Sequence, residues 1–222
     1  MDAPNITRNR TIMNTQKKLI IMDFDGVITD SLEVVYQVVS QAFATVGIPL
    51  SLDAYKKFFL INPKLAEKQL TSDEKKFIDV QKYIHQNIPI RYKKVKIFQP
   101  MIEIIQKLHA SAELAIVSSS QSEVIIEKLK KYSLDQYFSQ ILGADKEVSK
   151  IDKIKSCMDK SGIEKKSVYF ISDTVGDILE GKKMGIKTIA VSWGFHNKET
   201  LLGATPDKIL TEPDELLTYI IK

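Results

Sequence analysis

The chain has 222 residues, of which 44% are apolar and 27% charged, with a formal net charge of +4; that suits one large domain or a core with a small insert. The basic excess is spread over many lysines and forms no stripe with aromatic residues between, which argues against nucleic acid as a partner. No apolar run approaches the roughly 20 residues of a membrane-crossing helix, and the single cysteine, Cys157, leaves no intrachain disulfide to form, so a reducing, cytoplasmic setting is expected.

Residues 1–16 are polar and lack the apolar segment of a signal peptide, so they read as a flexible tail. Leu19–Met22 run apolar into Asp23, the pattern of a short buried parallel strand. "DS" at 30–31 reads as a helix N-cap, and Val34, Val35, Val38, Val39, Ala42 and Phe43 then recur at helical spacing until Gly47 and Pro49. Residues 51–90 read as further short helices, broken near "INP" (61–63) and "NIP" (87–89).

From Pro100 onward helices and strands alternate. Strands are expected in "ELAIVSSS" (113–120), "QILGA" (140–144), "SVYFISD" (167–173), "KTIAVSW" (187–193) and near "DKIL". The helix from Ser149 carries Ile151, Ile154 and Met158 on one face, and Cys157 reads as buried packing. Such alternation predicts an α/β fold, a Rossmann-like, doubly wound parallel sheet. The helical stretch 32–97 interrupts it after the first strand. It is expected to be an inserted α-helical cap, with 17–31 and 98–222 forming the core domain.

In sheets of this kind, sites form beyond the carboxyl ends of the strands. Asp23 and Asp25 follow the first strand, Ser118, Ser119 and Ser120 follow another, and Asp173 ends a third with Asp177 one helical turn later. Lys150 stands at a helix start that should face the same edge. Carboxylates, hydroxyls and an ammonium converging there suit a hard divalent cation with a phosphate, because Mg²⁺ prefers oxygen ligands and keeps several waters. The ion would offset the repulsion among Asp23, Asp25 and Asp173. A carboxylate can attack phosphorus to form an aspartyl-phosphate, and a second can manage the protons.

"DFDGVITDS", "IVSSS", a lysine and "ISDTVGDI" together resemble the four motifs of the haloacid dehalogenase superfamily, in the family's order, over about residues 18–222. "AVSWGFHNKETLLGATPDKILTEPDEL" also resembles the C-terminal part of its phosphoglycolate-phosphatase-like members. The resemblance implies Asp23 as nucleophile and magnesium ligand. It implies Asp25 as general acid/base, with its carbonyl a second ligand, and Asp173 and Asp177 as the remaining metal acids. Ser118 and the Ser119 amide would hold the phosphoryl group beside Gly26, and Lys150 would neutralise it. Lys146 and Lys153 are rivals to Lys150, since the Lys-Pro of many relatives is "KI" here.

The expected function is magnesium-dependent hydrolysis of a small phosphorylated metabolite, resembling phosphoglycolate. A sugar phosphomutase of the same superfamily is the alternative, and a phospho-acceptor signalling domain a remote one, since it has no place for the helical insert. Taken singly, Asp23 and Asp25 could be a solvated turn, Gly26 a turn residue, and Asp177 a first-turn acid favoured by the helix dipole. His85, His109 and His196 form no ligand cluster in sequence, Trp193 and Phe195 read as core or cap contacts, and Lys56, Lys57, Lys64 and Lys68 read as a solvated helix face.

Overall fold

The computed structural model describes residues 17–146 and 149–221; the tail expected at 1–16 lies outside them. In chain order the elements are β1 (Lys18–Met22), β2 (Thr29–Asp30), α1 (Leu32–Thr45), α2 (Leu52–Lys57), α3 (Pro63–Thr71), α4 (Glu74–Tyr92) and β3 (Lys96–Ile97). There follow α5 (Gln99–His109), β4 (Ala112–Val117), α6 (Ser122–Lys131), β5 (Phe138–Leu142), α7 (Lys150–Ser161), β6 (Val168–Ser172), α8 (Val175–Lys183) and β7 (Lys187–Val191). The last three are α9 (Lys198–Leu202), β8 (Lys208–Leu210) and α10 (Glu215–Ile221). Among the described residues, no helix is long and apolar enough to cross a membrane.

Six strands form a parallel sheet in the order β5-β4-β1-β6-β7-β8. β1 is central because both of its faces are buried: Leu19 and Ile21 pack into one core cluster, Ile20 and Met22 into the other. That is why its sequence reads as an unbroken apolar run. The order also makes β1 the switch point, with β4 on one side and β6 on the other. The chain reverses direction across the sheet there, which opens a crevice beyond the strand ends.

The helices α1 to α4 form an insert with its own apolar cluster of Val39, Ala42, Phe43, Leu50, Tyr55, Phe58 and Val80. Phe195, from the loop after β7, joins that cluster, so insert and sheet share packing. At the insert's base β2 and β3 pair antiparallel, Thr29 with Ile97 and Asp30 with Lys96. This ribbon has only two residues in each strand, and the sequence gives no alternation from which to read it.

Three expectations change. The break near 87–89 does not occur, because α4 runs through Pro89 to Tyr92. Pro89 lies in the last turn, where it leaves one carbonyl, that of exposed His85, without its helical partner but open to water. Ser31 precedes α1 in a helical backbone conformation, and its side chain caps nothing. On α7 the buried positions are Lys150, Lys153, Ile154 and Cys157, so two lysines occupy the face turned to the core. The break at 61–63 holds: Asn62 caps α3 through Leu65 N–H, with Pro63 at its first position.

Candidate active site

Asp23 follows β1, and its N–H donates 2.9 Å to the Ile171 carbonyl on β6, which keeps it in line with the sheet. The next residues fold into a tight turn. Ile28 and Thr29 N–H both donate to the Phe24 carbonyl, and Gly26 N–H to that of Thr29. Phe24 is fully buried, and Asp23 and Asp25 flank it. Gly26 has φ +74, and a Cβ there would lie 1.9 Å from Asp173 Oδ2. The glycine thus serves the close approach of the first acidic loop to Asp173 as well as the turn.

Lys150 joins two of the acids. Its Nζ donates 2.6 Å to Asp23 Oδ2 and 2.5 Å to Asp177 Oδ2. Ser149 caps α7 by accepting from Asp152 N–H, which fixes Lys150 as the first helical residue, facing the crevice. The rivals separate cleanly. Lys146 is exposed and lies 3.4 Å from its neighbour Asp145, while Lys153 is buried and donates 2.7 Å to the Ser118 carbonyl, bracing the loop after β4. Asp177 Oδ2 also accepts from Ser172 Oγ at 2.7 Å.

That loop carries the three serines. Ser118 is fully buried, and its Oγ accepts from Ser120 N–H at 3.0 Å, leaving the hydroxyl proton free to turn toward the crevice. Ser119 is exposed. Ser120 has a contact the sequence does not announce: its Oγ donates 2.6 Å to Asp25 Oδ2. Tyr92, at the end of α4, donates 2.6 Å to the other oxygen, Asp25 Oδ1. Asp25 and these two donors are 95 and 67 residues apart in the chain, beyond any local pattern.

Asp173 is fully buried, and Phe195 N–H donates 2.7 Å to its Oδ2. Its Oδ1 is buried with no partner among the described residues, an uncommon and costly condition for a carboxylate oxygen. Burial pushes Asp173 up to about 7, opposed by the Phe195 N–H and reinforced by the Asp177 charge. Burial also raises Asp23 well above the carboxylate range, although the Lys150 ammonium pulls it down. For Asp177, burial works toward protonation, but the Lys150 ammonium and the bonds it accepts leave it below its ordinary value. For Lys150, burial works to discharge the ammonium, and Asp177 with Asp23 holds it above the usual lysine range.

These residues offer oxygen donors of the kind a divalent metal ion takes. Asp23, Asp25, Asp173 and Asp177 carry four formal negative charges, Lys150 and Lys153 two positive ones, and the difference is −2. No three His, Cys, Asp or Glu side chains among the described residues gather into a ready-made cage. The side-chain and carbonyl oxygens present are hard donors, the kind that Mg²⁺ takes together with waters and substrate oxygens. The orphan Asp173 Oδ1 and Asp23 are the side-chain oxygens that would hold it, with the Asp25 carbonyl. Asp177 is committed to Lys150 and Ser172.

The insert packs against the loops after β6 and β7. His196 bridges the two parts: its Nδ1 accepts from Val175 N–H at 3.1 Å, so its Nε2 carries the proton that bonds the Lys56 carbonyl at 2.9 Å. A Cβ on Gly176 would lie 2.6 Å from the Ile61 carbonyl oxygen. Phe195 packs edge-on against Phe59, 4.9 Å between centroids, and near Tyr55, while Trp193 Nε1 donates to the Val27 carbonyl. Of the insert's four candidate lysines, Lys57, Lys64 and Lys68 are exposed and Lys56 is half-buried.

The same fold is found in known proteins. Among solved structures, a haloacid dehalogenase-like family hydrolase from Streptococcus pneumoniae superposes with a TM-score of 0.79 at 23% identity, covering 92% of this chain and 99% of that one. A hydrolase from Pseudomonas syringae gives 0.81 at 18%, covering 92% and 98%. A curated phosphoglycolate phosphatase from Vibrio vulnificus is 24% identical over 225 residues, spanning 92% of this chain and 96% of its own length. A pyrophosphatase, PpaX, from Halalkalibacterium halodurans is 23% identical over 220 residues, spanning 90% and 95%. The family model described as haloacid dehalogenase-like hydrolase matches residues 20–191, from β1 to the end of β7, and the chain belongs to that family.

Proposed function

We propose that the protein is a Mg²⁺-dependent phosphatase that hydrolyses a small phosphorylated metabolite through an aspartyl-phosphate on Asp23. The observation that carries this reading is the buried Asp23–Lys150 pair beside Asp173, whose Oδ1 has no partner among the described residues. The names of the relatives support the chemical class, and a phosphoglycolate-like monoester is the substrate we favour. The insert acts as the cap, and the single buried thiol, Cys157, suits a reducing cytoplasm.

Asp23 Oδ attacks phosphorus, the new bond forms to the aspartate, and the bond to the leaving oxygen breaks. Asp25 gives that oxygen its proton. In the second half Asp25 takes a proton from water, the water oxygen attacks the phosphorus, and Asp23 is released with inorganic phosphate. Ser118 Oγ–H and the Ser119 N–H hold phosphoryl oxygens, and Lys150 balances charge on Asp23 and on the phosphoryl group. When bound, Mg²⁺ supplies charge neutralisation and orientation for the phosphoryl oxygens.

The test is turnover of an aryl phosphate and of a metabolite panel that includes phosphoglycolate and pyrophosphate, before and after dialysis against a chelator. Activity should vanish and return with Mg²⁺. Full activity in the metal-free protein, or none on any phosphate ester, would refute the proposal.

A further inference from the structure

Asp25 is held from both sides. Ser120 donates to one carboxylate oxygen and Tyr92 to the other, each at 2.6 Å. The Tyr92 hydroxyl also lies 2.9 Å from Thr29 Oγ1, which is a longer 3.3 Å from the Phe24 carbonyl. A phenol has one proton, and the carboxylate is the stronger acceptor. The chain of donors therefore runs from Thr29 Oγ–H to Tyr92 Oη, and from Tyr92 Oη–H to Asp25 Oδ1. The Tyr92 ring is buried, stacks on Phe24 at 6.2 Å and 20°, and has the Lys128 Nζ 5.7 Å from its centroid. It has no freedom to follow Asp25 elsewhere.

The location of Tyr92 gives this contact a meaning. Tyr92 ends the last helix of the insert, and β3 begins at Lys96; its partner Thr29 belongs to β2, which pairs with β3. The bond to Asp25 thus spans the point where the insert rejoins the sheet domain. From the hydroxyl pair on Asp25 and its place beside the β2–β3 ribbon, we propose that Tyr92 is a positioning residue. It fixes the rotamer of the acid/base and makes that rotamer depend on how the insert is seated. Tyr92 acts on Asp25 as a hydrogen-bond donor only. Asp25 alone exchanges protons with the leaving oxygen and with water. The inference rests on the acid/base reading of Asp25.

Tyr92→Phe removes the hydroxyl and keeps the stacked ring. First-turnover release of phenol from phenyl phosphate and of 4-nitrophenol from 4-nitrophenyl phosphate would be followed with enzyme in excess and Mg²⁺ present. Phenoxide needs a proton from Asp25 far more than 4-nitrophenoxide does. Tyr92→Phe should slow the first reaction roughly 10-fold, part of the 10²–10⁴ that a positioned acid contributes, and the second by about 3-fold or less, with KM unchanged. Thr29→Val, which removes only the partner of the phenol, should shift the ratio in the same direction by a smaller factor, and serves if Tyr92→Phe does not fold. Equal slowing of both esters, or an unchanged ratio, in Tyr92→Phe while Asp25→Asn changes it would overturn the role of Tyr92 and leave that of Asp25 intact. An unchanged ratio in Asp25→Asn as well would overturn both.

Discussion

Gly176→Ala separates the seating of the insert from the stability of the chain. The added Cβ would lie 2.6 Å from the Ile61 carbonyl oxygen and 3.1 Å from that of Phe59, both backbone atoms that cannot rotate away, where ordinary contact begins near 3.4 Å. Residues 59–61 must therefore retreat about 0.8 Å, the difference between 3.4 and 2.6 Å. Where Lys56 moves with residues 59–61 as one body, the His196 Nε2 bond to its carbonyl, now 2.9 Å, stretches toward about 3.7 Å and is lost. Losing one neutral hydrogen bond costs about 1 kcal/mol, and alanine recovers roughly 0.5–1 kcal/mol over glycine in a helix. The net change is near zero, so the midpoint of thermal unfolding should stay within about 4 °C. Catalysis has no such offset: a misplacement near 1 Å costs on the order of 10²-fold, so kcat/KM should fall about 10- to 100-fold. Steady-state kinetics and a thermal melt on the same preparation decide the matter. Activity within about twofold of the parent, or a loss matched by a fall of 10 °C or more in the midpoint, would refute the reasoning.

Lys150→Ala should lower kcat by roughly 10²–10³, the scale of one charge-stabilising donor, while Lys146→Ala stays within about twofold; the reverse order, read by steady-state kinetics, would mean the wrong lysine faces the phosphate. Lys153→Ala should destabilise the fold as well as slow it, because the Ser118 carbonyl loses its buried donor, and a melt showing no change would contradict that bracing role. Burial raises Glu67 to about 7 from an ordinary value of 4.5, against the bond from Gln81 and the Lys64 charge. A raised carboxyl favours the fold fully only below its unfolded value, and that contribution is lost as pH climbs through 7. Glu67→Gln should therefore match the parent's unfolding stability near pH 4.5 and exceed it above pH 8, by on the order of 1–3 kcal/mol, read by denaturant unfolding at each pH; a pH-independent difference would count against this. Burial pushes the Cys157 thiol up to about 12, so a thiol reagent should label it only after unfolding.

What the sequence discloses follows from how local each signal is. β1 is legible because an apolar run ends on Asp23, and Lys150 because a serine cap one residue earlier sets the helix start. Asp173 is legible as the acid that ends β6. Ser120 and Tyr92 are not, since their partner Asp25 is brought to them by the sheet order and by the insert's return. The β2–β3 ribbon is too short to carry an alternating pattern. Pro89 misleads because a proline in a last turn costs one bond and leaves the exposed helix intact. Lys153 reads as a rival to Lys150 until the sheet places the Ser118 carbonyl beneath it, and His196 as an isolated histidine until the Lys56 carbonyl arrives from the insert.

The central claim, that Asp23 carries the phosphoryl group and Asp25 moves the protons, is tested most directly by Asp25→Asn. The variant keeps the backbone carbonyl at 25 and the nucleophile at 23, so an activated aryl phosphate can still phosphorylate it, but no base remains to activate water. Rapid quench followed by intact-mass measurement should show an added phosphoryl group, which peptide mapping should place on Asp23. A phosphoryl group on Ser118, or no covalent intermediate with turnover near that of the parent, would contradict the mechanism.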